Sequence, residues 1–384
     1  MGRHFSDQEL ERRRGALSGA LQQAGLEGLL LFRQESMYYL TGYDSFGYVH
    51  FQVMVWPRTG DPVLLTRAPD RLQARFTSNV RDVRIWVDGE DADPYRALAD
   101  LLRGLGLAGR RLGAELEAYG LTAARGFALV RALQGVCELE DASFMVSRLR
   151  LVKTEEELVY VRQAAALADA AWSEAQRLAA PGAFEGDILA AMQGAVLRGG
   201  GDDPANETII GSGPGALMCR YYTGRRHLDS QDQLTLEFAG VYRHYHACAM
   251  RTVLIGAPRP LQVAMFEPVR DALLAAREAL RPGRAIGEVF DAHARVLDAA
   301  GMGEHRLNAC GYSLGATFAP SWMDWPMLFH GNPQVAAPGM VFFIHIIVFD
   351  AAKGLAMTLG QTVEVTESGM RSLSQAPLEL AIAQ

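Results

Sequence analysis

The sequence predicts a two-domain α+β protein: a smaller α/β domain over residues 1–146 and a larger α+β domain over 147–384. Three observations carry this. A length of 384 residues suits two domains that each bury a core of their own. Strand-like and helix-like stretches alternate in the first part, whereas the second opens with paired helices and then turns to long strands. A hydrophobic share of 49% against 21% charged residues belongs to an ordinary globular chain rather than a disordered one.

In the first domain, Ser6 and Glu9 form a capping box ahead of a helix. Leu10, Leu17 and Leu21 recur there at helical spacing until Gly25 ends it. Residues 28–32 (GLLLF) read as a strand, and 50–56 with 62–66 as a hairpin turning at Thr59, Gly60 and Asp61. A helix near 94–102, a strand near 112–116 and a helix near 122–133 follow. In the second domain, Thr154 and Glu157 make another capping box, and Leu158, Val161, Ala165 and Ala168 begin an apolar stripe. A helix near 184–197 comes next, then strands near 207–211, 233–239 and 244–255. Helices over 260–280 and 286–300 precede strands at 340–349 and 362–365.

Lys plus Arg (37) against Asp plus Glu (44) leaves a net charge of −7, which argues against nucleic acid or an anionic membrane as partner. Cys137, Cys219, Cys248 and Cys310 show no paired spacing, so reduced thiols in a cytoplasmic protein are expected. The polar start MGRHFSDQELERRRG has no apolar leader core, and the apolar run 341–349 is too short to span a bilayer. The glycines of GSGPG (Gly211, Gly213, Gly215) lack the Lys and Ser/Thr of a phosphate loop.

The order of elements, the stretch 149–165 and the stretch 212–252 together resemble the pita-bread superfamily of methionine aminopeptidase, prolidase and creatinase. The resemblance covers nearly the whole chain and implies the pita-bread fold behind a creatinase-type N-terminal domain, and a homodimer. It also implies five metal ligands. The family's first Asp falls on Glu237 (LTLEFAG) and its second on Cys248 (HYHACAMRT). Its His falls on Tyr312 (CGYSLG), and its two Glu on His345 (GMVFFIHI) and Gly360 (TLGQTVEVT). Two substrate-contacting His positions fall on Arg220 and Ala319. A pair of divalent ions needs several carboxylates to offset four positive charges, and only Glu237 remains. The expectation is therefore no metal and no cofactor. Creatinase and ectoine hydrolase are relatives that work without metal. NETIIGSG, GRRHLDSQDQLTLEFAGVYRHYHA and GYSLGATFAPSW look similar to the ectoine hydrolase branch.

The residues also have readings of their own. Along 233–239, Leu234, Leu236 and Phe238 face one way and Thr235 and Glu237 the other, so Glu237 faces either solvent or a cavity. Strand alternation sets His244, His246, Cys248 and Met250 on one face; each of these is also at home as a structural residue. Glu237, His246, Cys248 and His345 are all legitimate zinc ligands, so a single-zinc site competes. His345 in VFFIHIIVF is either a satisfied core histidine or an acid/base group. Tyr312 either donates a hydrogen bond to a substrate or fills volume. Arg220 suits a substrate carboxylate, and Arg251 is either near the site or a structural ion-pair partner. SWMDWP gathers Trp322, Asp324 and Trp325, which either hold a cationic ligand or anchor a loop.

The chemistry expected is hydrolysis of a C–N bond in a small cyclic amidine or amide carboxylate. Glu237 serves as base, His345 or His246 as proton carrier, and Arg220 as the carboxylate's partner. A rewired Xaa-Pro dipeptidase and a non-catalytic binding protein are the alternatives.

Overall fold

A computed structural model describes residues 3–220 and 225–384. The chain divides between Arg150 and Leu151 into two compact units. The first unit holds α1 (Asp7–Ala24), β1 (Gly28–Leu31), α2 (Gln34–Thr41), β2 (Val53–Pro57), β3 (Val63–Thr66) and α3 (Asp70–Thr77). It continues through β4 (Asp82–Ile85), α4 (Pro94–Gly104), β5 (Arg111–Ala114), α5 (Ala123–Leu133) and β6 (Glu138–Asp141), and α6 (Met145–Leu151) spans the division. Its sheet has the order β4-β3-β2-β1-β5-β6, with one apolar cluster on each side. Gly25 closes α1 in a left-handed conformation as expected. Ser6 accepts from the Glu9 N–H as the first capping box expects, and the Glu9 carboxylate also accepts from Arg12 and the buried Arg13.

The second unit holds α7 (Glu155–Leu178), α8 (Glu185–Arg198), β7 (Ile209–Ser212), β8 (Asp232–Tyr242), β9 (Tyr245–Ile255), α9 (Pro260–Ala279) and α10 (Gly287–Ala299). Then come β10 (Ala309–Ser313), β11 (Asp324–Phe329), β12 (Val341–Asp350), β13 (Leu355–Thr366), β14 (Gly369–Ser372) and β15 (Ala381–Ala383). The Thr154–Glu157 capping box is complete. The other Glu157 oxygen accepts from the Tyr245 hydroxyl at 2.8 Å and ties α7 to β9.

The large sheet runs β11-β10-β12-β13-β9-β8-β7. Strand alternation gives it two different faces. Leu234, Leu236 and Phe238 of β8 pack with α7 and α8. Phe342, Ile344, Ile346 and Val348 of β12 and Leu355, Met357 and Leu359 of β13 pack with α9 and α10. Each such side chain contributes roughly 1.5–3 kcal/mol by leaving water. The four helices thus cover one face and leave the other to the alternate residues, Glu237, His345 and Gly360 among them.

One strand boundary differs from expectation. His244 lies outside β9, because Arg243 and His244 form the two-residue turn of the β8–β9 hairpin with φ of 50° and 64°. A two-residue hairpin turn requires such values, which sequence patterns flag by Gly or Asn, and neither is present here.

Candidate active site

The strand register brings the chemically interesting positions into one band across the uncovered face. Glu237 on β8 stands opposite Met250 on β9, and Met250 opposite Gly360 on β13. Gly360 stands opposite His345 on β12, and Tyr312 on β10 opposite Phe343, two residues from His345. Above this band lies a cavity of about 340 Å³. Glu237, Tyr312, His345, Arg220 and Trp322 all line it.

A hydrogen-bond chain organises the acid. The Trp322 indole N–H donates to the Tyr312 hydroxyl at 2.8 Å, and that hydroxyl donates to Glu237 Oε1 at 3.2 Å. Trp322 is held in turn by its backbone N–H, which donates to the Asn206 side-chain oxygen at 3.0 Å. Burial pushes the Glu237 carboxyl up to about 7, against the opposing pull of the Tyr312 hydrogen bond and the Arg220 charge. A carboxyl with that value exchanges its proton near neutrality, as acid/base catalysis asks. Burial and the adjacent Glu237 hold the Tyr312 phenol well above its usual range, so it remains a donor. Removing that donor should raise Glu237 further. In Tyr312→Phe, the rising limb of kcat/KM against pH moves upward from about 7; a limb that stays in place would show that the contact does not tune the carboxyl.

His345 is neutral at physiological pH, because burial first, then His293 and Arg220, push it down to about 4. Its Nδ1 is buried and has no hydrogen-bond partner. An unpaired buried imidazole nitrogen is costly, and here the cost falls on a residue of the cavity wall.

Other sequence candidates lie elsewhere. Arg251 stands opposite Leu236 and therefore on the helix-covered face, so it has no part in substrate binding. It donates to the Met250 and Gly360 carbonyls and stacks over Trp172 at 5.8 Å. His246 is no proton carrier, since its Nε2 accepts from the Ala205 N–H and its Nδ1 meets the His244 carbonyl at 2.8 Å. Burial depresses it to about 3. Cys248 shares the Glu237 face but not the cavity wall, its backbone is stitched to the Thr362 hydroxyl, and burial drives its thiol well above 9. Asp324 and Trp325 are absent from the cavity lining; Asp324 Oδ1 accepts from the Trp325 N–H, and Trp325 packs against the α9–α10 core. Sequence patterns did not single out Asn206, Cys219, Asn308 or the apolar wall of Ile209, Leu307, Met323, Met327 and Ile347. These positions come from separated loops and strands and share no local spacing.

The donor set does not fit a metal pair. Glu237 is the one carboxylate on the wall among the described residues. Among the described residues no group of three His, Cys, Asp or Glu is placed to hold an ion. Gly360 has no room for a side chain: a Cβ there would lie 2.9 Å from the His345 Cβ and 2.9 Å from the Phe343 ring. Both ring nitrogens of His246 are engaged by the backbone, and Cys248 is not on the cavity wall.

Residues 159–367 match the model of metallopeptidase family M24, and residues 13–152 that of the creatinase/prolidase N-terminal domain. The chain therefore belongs to the creatinase/prolidase pita-bread family, M24, whose members are hydrolases of C–N bonds. It is 29% identical to the probable dipeptidase PepE of Mycobacterium tuberculosis over 100% of this chain and 99% of that one. The crystal structure of dipeptidase PepE from Mycobacterium ulcerans matches with a TM-score of 0.85 at 28% identity, covering 99% of both chains. The ectoine hydrolase of Halomonas elongata is 24% identical over 98% of each chain.

Proposed function

We propose that the protein is a metal-independent hydrolase that cleaves a C–N bond of a small carboxylate-bearing amide or amidine. The observation that carries this reading is Glu237, a solitary buried carboxyl poised at about 7 on a cavity wall that also carries Arg220. Glu237 takes a proton from water as the water oxygen bonds to the electrophilic carbon. The C–N bond then breaks, and the same carboxyl returns that proton to the departing nitrogen. Arg220 holds the substrate carboxylate in its planar fork. His345, neutral throughout, gives a hydrogen bond to the substrate rather than a full proton. The similarity to an ectoine hydrolase supports this reading.

A second reading has support in the relatives: the dipeptidases resemble this chain at higher identity than the ectoine hydrolase does. It requires metal carried by a rearranged set of ligands. Chelator-treated protein assayed on amides, Xaa-Pro dipeptides and ectoine separates the two. The metal-independent reading expects turnover that chelation leaves intact and that manganese, cobalt or zinc does not raise. Loss of turnover on chelation, restored by one of these ions, would establish the second reading.

A further inference from the structure

The charges and surfaces of the cavity narrow the substrate beyond the bond that is cut. Arg220 is its one cationic side chain and Glu237 its one carboxylate among the described residues. The six residues outside the description, Met1, Gly2, Tyr221, Tyr222, Thr223 and Gly224, include no acid. A free peptide brings two charged ends, and the family's dipeptidase substrates have an ammonium group that must be matched. Here the one side-chain anion that could pair with an ammonium, among the described residues, is Glu237, and Glu237 so engaged would not be free to take a proton from water. An ammonium left unpaired inside the cavity would lose its hydration without compensation. Much of the remaining wall is apolar: Leu307, Trp322, Met323, Met327 and Ile347, with Ile209 beside Glu237 on the neighbouring strand. Ile209, Trp322 and Ile347 are buried and give the surface a fixed part, whereas Met327 is 38% exposed. The thioethers add an adaptable boundary that accepts differing alkyl shapes.

The geometry points to a mono-anionic amide as substrate, an N-acylated amino acid whose carboxylate meets Arg220 and whose unsubstituted, apolar acyl chain lies against the methionine-rich wall. This rests on the hydrolase reading above and refines it. The reaction balances with water alone: the water oxygen becomes part of the released carboxylic acid, one water proton passes through Glu237 to the amine, and no redox partner is needed. A cavity of about 340 Å³ holds a molecule of this size.

Two compounds that differ only in the ammonium provide the test: 4-methylpentanoyl-proline and leucyl-proline, with N-acetylproline as the short-chain control. The full-length protein should turn over 4-methylpentanoyl-proline with kcat/KM at least tenfold above either of the others. Equal or faster hydrolysis of leucyl-proline, or of N-acetylproline, overturns the inference and leaves the hydrolase reading standing. If none is hydrolysed, calorimetric binding separates the two claims. Tighter binding of 4-methylpentanoyl-proline than of leucyl-proline, lost in Arg220→Ala, upholds the ligand class while the hydrolase reading falls. Absence of that preference overturns the ligand class as well.

Discussion

Glu237→Gln should lower kcat/KM by roughly 10²–10⁴-fold, the usual contribution of a positioned acid/base group, and should also make the protein more stable above neutrality. The two effects have one source. Burial raises the carboxyl from 4.5 to about 7 in the folded chain. Below about pH 4 the group is protonated in both folded and unfolded states and costs nothing. As pH rises through 4.5 the unfolded chain ionises first, so stability falls until the folded group also ionises near 7, and the full penalty persists above that. Glutamine keeps the oxygen that accepts from Tyr312 and never ionises. Melting curves should therefore show a higher Tm for the variant at pH 8 and no difference at pH 4. A loss of activity with no pH-dependent gain in Tm would mean that Glu237 is less desolvated than its setting implies. Unchanged turnover would remove it as the base.

Gly360→Glu, which puts a carboxylate where the family resemblance implies one, should destabilise the fold and recruit no metal. The new Cβ alone meets the His345 Cβ and the Phe343 ring at 2.9 Å, and a strand backbone packed on both sides cannot retreat from such contacts. Overpacking of this kind costs about 1–3 kcal/mol, several degrees in Tm for a domain of this size. Gly360→Ala should show most of the same fall, because the clash begins at the first carbon. Thermal melts of the two variants and elemental analysis after incubation with manganese or zinc provide the check. An alanine variant as stable as the parent would show that the strands yield there, and stoichiometric metal in the glutamate variant would show that the remaining residues can hold an ion.

Much of the fold was legible because its signals are local. The Thr154–Glu157 box, the leucine spacing of α1, the alternation in β8 and the apolar run of β12 each act within a few residues. The missed elements carry weak or misleading local signals. β10 is short and interrupted by Gly311, and β11 contains Pro326. β13 runs from Leu355 to Thr366, whereas its Gly360–Gln361 pair hid all but 362–365.

In the site, periodicity correctly set Glu237 on the face opposite Leu236 and grouped Cys248 with Met250, and the register puts both groups on one face. It could not give depth, which places Glu237 on the cavity wall and Cys248 away from it. Arg251 shows the complementary error: family position suggested the site, while its own register with Leu236 assigns it to the far face. The contact between Trp322 and Tyr312 joins residues ten apart on a loop and a strand, and only the folded chain reveals it.

That contact has a direction. An indole nitrogen can only give a hydrogen, and a phenol that receives one has a single hydrogen left to pass on. With Tyr312 directing it to Oε1, a proton gained by Glu237 goes to Oε2. Both halves of the proposed cycle then fall to one atom. The enzyme would collect and deliver its proton through the same oxygen, with no second group to be recharged between turnovers.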